Sequence, residues 1–393
     1  MQLSKNISLL LLLTSLSTII SAQATVVWNN YPGGVSIAID QAENVFTANW
    51  DFNPAGDITL TKRDNNGNIL WEVGYDNIDN TRHEVSTWVD ADQQGNCIVA
   101  GTIRSGISSP VNVNSLLMKF STQGNLIWRI VYDTDFDGSN TVKCLVDEFD
   151  QIYVLGIGNS GNGMRTQVRK FSPDGDALWT YFDMAGLGFP QNIKLTKDNA
   201  ILLTHRNSSG FVNGYSKINT AGNLLWSVPG INSASSGDAS GDENGNTYLV
   251  NGNYELVNPS TNIRKISPAG DSIWQANHPM TAFRVEVGPD NQPVCSGFPN
   301  SGTPGVAIIK LDSTGNLLWA NMNADGPSYA LLAHAMMKID STGSTFVAGG
   351  TISAMGICKV NAMGISQWAV SAPSGYPSAF ELANHSSIYM VGG

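Results

Sequence analysis

The acidic run Asp133-Thr-Asp135-Phe-Asp137-Gly138-Ser139-Asn140 is the sharpest candidate for chemistry in this 393-residue chain. Carboxylates at alternating positions before a glycine can wrap oxygen atoms around a calcium ion, with Asp133, Asp135, Asp137 and Ser139 as donors. The pattern is incomplete, because Cys144 stands where such loops place a bidentate glutamate and Thr141 where they often place an aspartate. An acidic, solvated turn is therefore the first reading and a calcium loop the alternative; no other cofactor is expected.

Catalytic patterns are sparse elsewhere. The hydrolase elbow G-x-S-x-G has its nearest match at Gly158-Asn-Ser160-Gly161-Asn162-Gly163, which fails at the last position. His83-Glu84 is followed by Val-Ser-Thr, so the zinc-binding H-E-x-x-H is absent. His83, His205, His278, His334 and His385 fall in separate segments at unlike positions and read as isolated side chains. Cys97, Cys144, Cys295 and Cys358 are widely spaced without C-x-x-C pairing and read as small buried hydrophobes. One convergence remains open: His83, Glu84, Arg284, Glu286 and His334 precede or begin strands that could meet at a central mouth. Two carboxylates there, or a histidine with a carboxylate, would favour catalysis. A lining of Ser, Asn and aliphatic residues would favour binding.

The elements that must position these residues are set by a repeat. The phrase Lys-x-x-x-x-Gly-x-x-x-Trp occurs seven times, with tryptophans at Trp71, Trp128, Trp179, Trp226, Trp274, Trp319 and Trp368 and gaps of 57, 51, 47, 48, 45 and 49 residues. Each copy follows a first half that runs from an Asp through a turn into a strand rich in Val, Tyr, Phe and Gly. Examples are Asp90 to Gly101, Asp242 to Gly252 and Asp340 to Gly349, with looser copies near Asp40, Asp147, Asp198 and Asp290. Both halves read as hairpins, since Asp, Asn or Ser opens the turn by accepting a backbone N–H and Gly supplies the positive φ a bulged type I turn needs. Two hairpins in about 45–50 residues make one four-stranded propeller blade.

A large ring in every unit suits the wedge between blades better than a ligand stack, which needs one or two aromatics at a mouth. The recurrent lysine likewise reads as structural, its stem on the sheet and its ammonium at the edge. The expectation is an all-β propeller of four-stranded antiparallel blades, about eight, with seven as the alternative. Val26-Val27-Trp28 would close the ring as outer strand of an eighth blade whose inner strands lie near 376–392, leaving that blade short of a strand. The propeller would span 25–393, its last blade incomplete.

Residues 1–24 read as a signal peptide: Lys5, an apolar run from Ile7 to Ile20 too short to cross a bilayer, and an A-x-A site ending at Ala24. Cleavage after Ala22 is the alternative, and the first cysteine, Cys97, is too late for a lipoprotein site. Later hydrophobic runs are all too short to span a membrane. Loss of Lys5 takes the net charge from −11 to −12, which disfavours nucleic acid as a partner.

The segment Asp312-Ser-Thr-Gly315-Asn316-Leu-Leu-Trp319 resembles the tryptophan-docking repeat of the quinoprotein-like (PQQ-like) propeller superfamily, and the pattern from 25 to 393 resembles secreted bacterial propeller-repeat proteins. That superfamily includes quinone-dependent dehydrogenases and non-enzymatic assembly propellers, so the resemblance implies architecture rather than activity. Its enzymes carry an adjacent cysteine pair, which this chain lacks. The expected role is a secreted or cell-surface, monomeric, non-enzymatic scaffold for a protein or glycan ligand. The alternative is an enzyme, either a quinoprotein-like oxidoreductase or a polysaccharide-active hydrolase or lyase, with its site at the central channel.

Overall fold

The computed structural model describes residues 35–50, 58–76, 83–104, 113–132, 140–160, 164–184, 188–206, 212–234, 236–253, 260–299, 305–324, 336–351, 354–373, 377–383 and 387–392. The calcium-loop residues Asp133, Asp135, Asp137 and Ser139, the closing strand at Trp28, and His334 and His385 lie outside them.

Within that range the chain forms seven antiparallel four-stranded sheets and a final two-stranded sheet, each a meander in sequence order. The first strands of blades 1 to 8 are Ser36–Ile39, His83–Ala91, Asn140–Val146, Phe189–Leu195, Ser236–Gly241, Met280–Val287, Met336–Ile339 and Pro377–Leu382. First strands pack against first strands of neighbouring blades, as the narrow ends of wedges do, so they surround the axis. The last hairpin, Pro377–Leu382 with Ile388–Gly392, buries Phe380 against Phe346 and Ile357 of blade 7. Its Ala379, Tyr389 and Val391 pack on Ile37 and Val45 of blade 1. Contact therefore runs round a complete circle. The fold is the expected all-β propeller with about eight blades.

The turns form for the reasons their composition gives. In blade 2, Asp92 N donates to Asn96 O and Gly95 N to Asp92 O, while Asp92 Oδ1 accepts from the N–H groups of Gln94 and Asn96. Gly95 sits at φ +77°, where a Cβ is disfavoured. The opener here is Asp92, not Asp90 as the repeat spacing suggests. In blades 4 and 6 the openers are Thr196 and Gly288, with Asp198 and Asp290 two residues further on.

In all seven repeats the recurrent lysine faces its tryptophan across the third and fourth strands, from Lys62 opposite Trp71 to Lys359 opposite Trp368. The lysine's structural role holds, but its ammonium is not at a wet edge: Lys62, Lys119, Lys217, Lys265 and Lys310 are buried. Asp carboxylates of the first hairpin answer four of them, at 3.0 Å for Lys62–Asp40, 2.9 Å for Lys119–Asp92, 2.8 Å for Lys217–Asp198 and 2.6 Å for Lys310–Asp290, while Lys265 donates to Ser313 O at 3.2 Å. An aspartate two residues late still reaches the same cation, which is why the motif tolerates the shift. Burial forces the pairing, since an ammonium taken from water without a partner costs several kcal/mol.

Six of the seven tryptophans, all but Trp368, lie against a turn glycine of the following blade. Trp179 Nε1 donates to Thr220 O at 3.1 Å, and Lys170 Nζ donates to that same carbonyl at 3.3 Å. Trp71, Trp128, Trp274 and Trp319 donate in the same way to Thr122, Pro173, Ser313 and Ala362. The indole then covers the turn glycine of the following repeat, with Trp71 on Gly124, Trp179 on Gly222 and Trp274 on Gly315, so closely that an added Cβ would lie 2.9, 2.8 and 3.0 Å from the ring. The glycine of Lys-x-x-x-x-Gly-x-x-x-Trp thus serves twice, as a positive-φ turn residue and as the floor for the preceding blade's indole.

Candidate functional site at the propeller axis

The inner strands carry polar residues because one edge of each strand has no strand partner. Those edge N–H groups are taken by side chains from the preceding blade: Val89 N donates to Ser36 Oγ (3.2 Å), Val146 N to Asp90 Oδ2 (2.8 Å), Val285 N to Asp238 Oδ2 (3.2 Å) and Val287 N to Ser240 Oγ (3.2 Å). Asp90 and Asp238 are therefore edge caps. Asp90 is held in place by a second bond from Ala91 N at 2.8 Å, and burial raises its pKa to about 6 against the lowering effect of these two N–H groups.

Three lysines stand among the axial acids. Lys194 of blade 4 lies 2.8 Å from Asp238 of blade 5 and 2.7 Å from Glu286 of blade 6, and Ser240 donates to the other Glu286 oxygen at 3.2 Å. A side chain that passes the adjacent blade to touch the second one along lies on the axial side of the inner strands. Burial opposes the Lys194 charge, but the two carboxylates outweigh it and its pKa is raised. Lys338 of blade 7 pairs with Glu381 of blade 8. Lys143 of blade 3 donates to Asn192 Oδ1 at 3.2 Å and lies 4.5 Å above the Trp88 ring.

Two carboxylates do converge here, the arrangement that would favour catalysis, but on a lysine that neutralises them. A carboxylate bridged to an ammonium and capping a strand is a poor proton shuttle. Of the sequence candidates, Glu286 belongs to this cluster. Glu84 is fully buried, His83 is half-buried at the start of its strand, and Arg284 donates to Phe283 O at 3.0 Å. Sequence reasoning missed Asp90, Lys143, Lys194, Asp238, Lys338 and Glu381. Their contacts join residues about one or two repeats apart, and no local motif marks them.

His205 is not isolated as its sequence context suggests. Its Nε2 lies 3.0 Å from Ser216 Oγ and its Nδ1 3.9 Å from Asp183 Oδ2, an order of groups reminiscent of a nucleophile triad. The resemblance ends at access: His205 and Ser216 are 0% exposed and Asp183 is 1%, sealed between blades 3 and 4. Burial lowers the His205 pKa to about 4, so the ring is neutral at pH 7 and acts as packing. The four cysteines are buried and free, and burial pushes the thiols of Cys97, Cys144 and Cys295 up. Among the described residues no group of three or more His, Cys, Asp and Glu is placed to hold a metal ion, and no helix is long and apolar enough to cross a membrane.

These features define an all-β repeat propeller whose axial residues are knitted across blades. No family model and no curated protein matches the chain. Among solved structures, a protein of unknown function from Bacteroides caccae is similar at TM-score 0.38 and 14% identity, over 62% of this chain and 81% of that one. A eukaryotic initiation factor is similar at TM-score 0.47 and 11% identity, over 85% of this chain and 87% of that one. Likeness at this level carries no functional argument, and the fold stands on the sheets themselves.

Proposed function

We propose that the chain is an exported, non-enzymatic β-propeller that presents its axial face as a rigid binding surface outside the cell or at its surface, in the manner of the secreted bacterial PQQ-like repeat proteins its motif resembles. The observation that carries this is the employment of the axial acids: Asp90 and Asp238 cap neighbouring strand edges, and Asp238 and Glu286 are bridged by Lys194. Groups committed to holding blades together hold a surface steady, which lowers the ordering cost of binding a protein or glycan.

The test is an activity screen of the purified mature chain. It uses alcohols and aldoses with added quinone cofactor and an artificial electron acceptor, alongside a panel of polysaccharides. No turnover is expected, together with saturable binding to at least one glycan or protein by a thermal-shift screen. Turnover abolished by Glu286→Gln would contradict the reading and favour the enzyme alternative. Export is tested by expressing the full chain in a bacterial host. The extracytoplasmic product is expected to begin at Thr25, whereas retention of Met1 in the cytoplasm would contradict export.

A further inference from the structure

We propose that Lys143 is a ligand-reactive amine at the propeller axis, one that condenses reversibly with small aldehydes such as an open-chain sugar. In the reaction the neutral Nζ lone pair attacks the carbonyl carbon and the carbonyl π pair moves to oxygen. A proton passes from nitrogen to that oxygen, and the carbinolamine loses one water to leave an imine. Nothing is oxidised or reduced.

The geometry sets Lys143 apart from its neighbours. Lys194 and Lys338 each touch a carboxylate, whereas Lys143 has none within 4.0 Å among the described residues. Its ammonium rests on the Trp88 ring at 4.5 Å and donates to the neutral Asn192 amide at 3.2 Å. The side chain is half-buried, enclosed yet not sealed like Ser216 or His205. Its environment also spans the ring: Lys194 of blade 4 and Lys338 of blade 7 act against its charge, while Asp90 of blade 2 and Glu381 of blade 8 act for it. Burial is the largest influence, Lys194 and Lys338 add to it, and together they lower the Lys143 pKa to about 8. A desolvated lysine beside other cations is the recognised setting for an imine-forming amine.

The magnitude follows. At pH 7 about 10% of such an amine is neutral, against ~0.04% for an ordinary lysine of pKa ~10.4. A less basic nucleophile is intrinsically weaker, and a Brønsted slope of about 0.4–0.5, as for thiolates, returns roughly tenfold of that gain. Lys143 should then react about twentyfold faster than such an ordinary lysine, and Lys197, whose side chain is 32% exposed, is the internal comparison.

The experiment treats the folded full chain with glycolaldehyde and cyanoborohydride at a series of pH values and follows each lysine by peptide mass mapping. The expected result is first labelling at Lys143, with a midpoint near pH 8, and loss of the fast phase in Lys143→Arg. Labelling of Lys143 no faster than Lys197 at pH 7, or a midpoint above pH 10, would overturn the inference. The site-resolved map of the natural chain decides the matter even if the variant fails to fold. The inference goes beyond the scaffold reading, and its failure would leave that reading to the activity screen.

Discussion

Adding one methyl group at Gly222 tests whether the indoles are the contact between blades. Gly222 lies at φ +84°, and a Cβ there would sit 2.8 Å from Trp179 Cδ2. Gly343 has nearly the same backbone, φ +80°, but its Cβ would meet nothing nearer than Ala362 Cβ at 3.3 Å. Gly343→Ala therefore carries the left-handed backbone penalty alone, about 1–2 kcal/mol. Gly222→Ala adds overpacking against a ring fixed by its bond to Thr220, roughly 1–3 kcal/mol more. Urea unfolding of both variants should give this difference with an unchanged slope. In a Trp179→Ala background the clash has no partner, so Gly222→Ala should fall back to about 1–2 kcal/mol, a coupling that a double-mutant cycle reads directly. Gly74→Ala, with nothing within 4 Å of its Cβ, is the control and should change stability by less than about 0.5 kcal/mol. Equal costs at Gly222 and Gly343, or no coupling to Trp179, would refute the reasoning.

Three further outcomes follow from the same structure. Lys217→Ala strands Asp198 beside a buried seam and should cost about 3–5 kcal/mol by urea unfolding, whereas Lys359→Ala, which breaks a 3.7 Å pair with both side chains about a quarter exposed, should cost less than about 1 kcal/mol. His205 has its folded pKa lowered from 6.5 to about 4, so its stabilising contribution is present above 6.5 and lost as pH falls through 4; at about 1.4 kcal/mol per unit this amounts to about 3.5 kcal/mol. The stability gap between the natural chain and His205→Gln should narrow from pH 7 to pH 4.5 by urea titration, and a constant gap would contradict the neutral, buried ring. Millimolar calcium should leave the melting temperature unchanged if Asp133, Asp135, Asp137 and Ser139 form a solvated turn; a rise abolished by Asp135→Asn would establish the calcium loop instead.

The blade was legible because its determinants are local. Asp92 and Gly95 make a turn within five residues, and the lysine and tryptophan of each repeat face each other across a single hairpin. The existence of an inter-blade role for the tryptophans could also be read from their recurrence. Their target could not, since Trp179 meets Gly222 through the curvature of the ring rather than through any periodicity within one blade. The aspartate–lysine pairs were half-visible: both residues recur, but only the third dimension shows that Asp198, two places late, still reaches Lys217. The axial cluster was the least legible. Lys194 and Glu286 are 92 residues apart and meet because wedges converge. The edge caps Asp90 and Asp238 resemble ordinary strand-end acids until the unpaired N–H of the next blade is in view.

The most direct test of the whole account is an electron-microscopy class average of the purified protein viewed down its axis. A closed disc of eight radial wedges is expected, with the terminal hairpin seated between the first and seventh. An open arc, or units stacked as an unclosed solenoid, would contradict it.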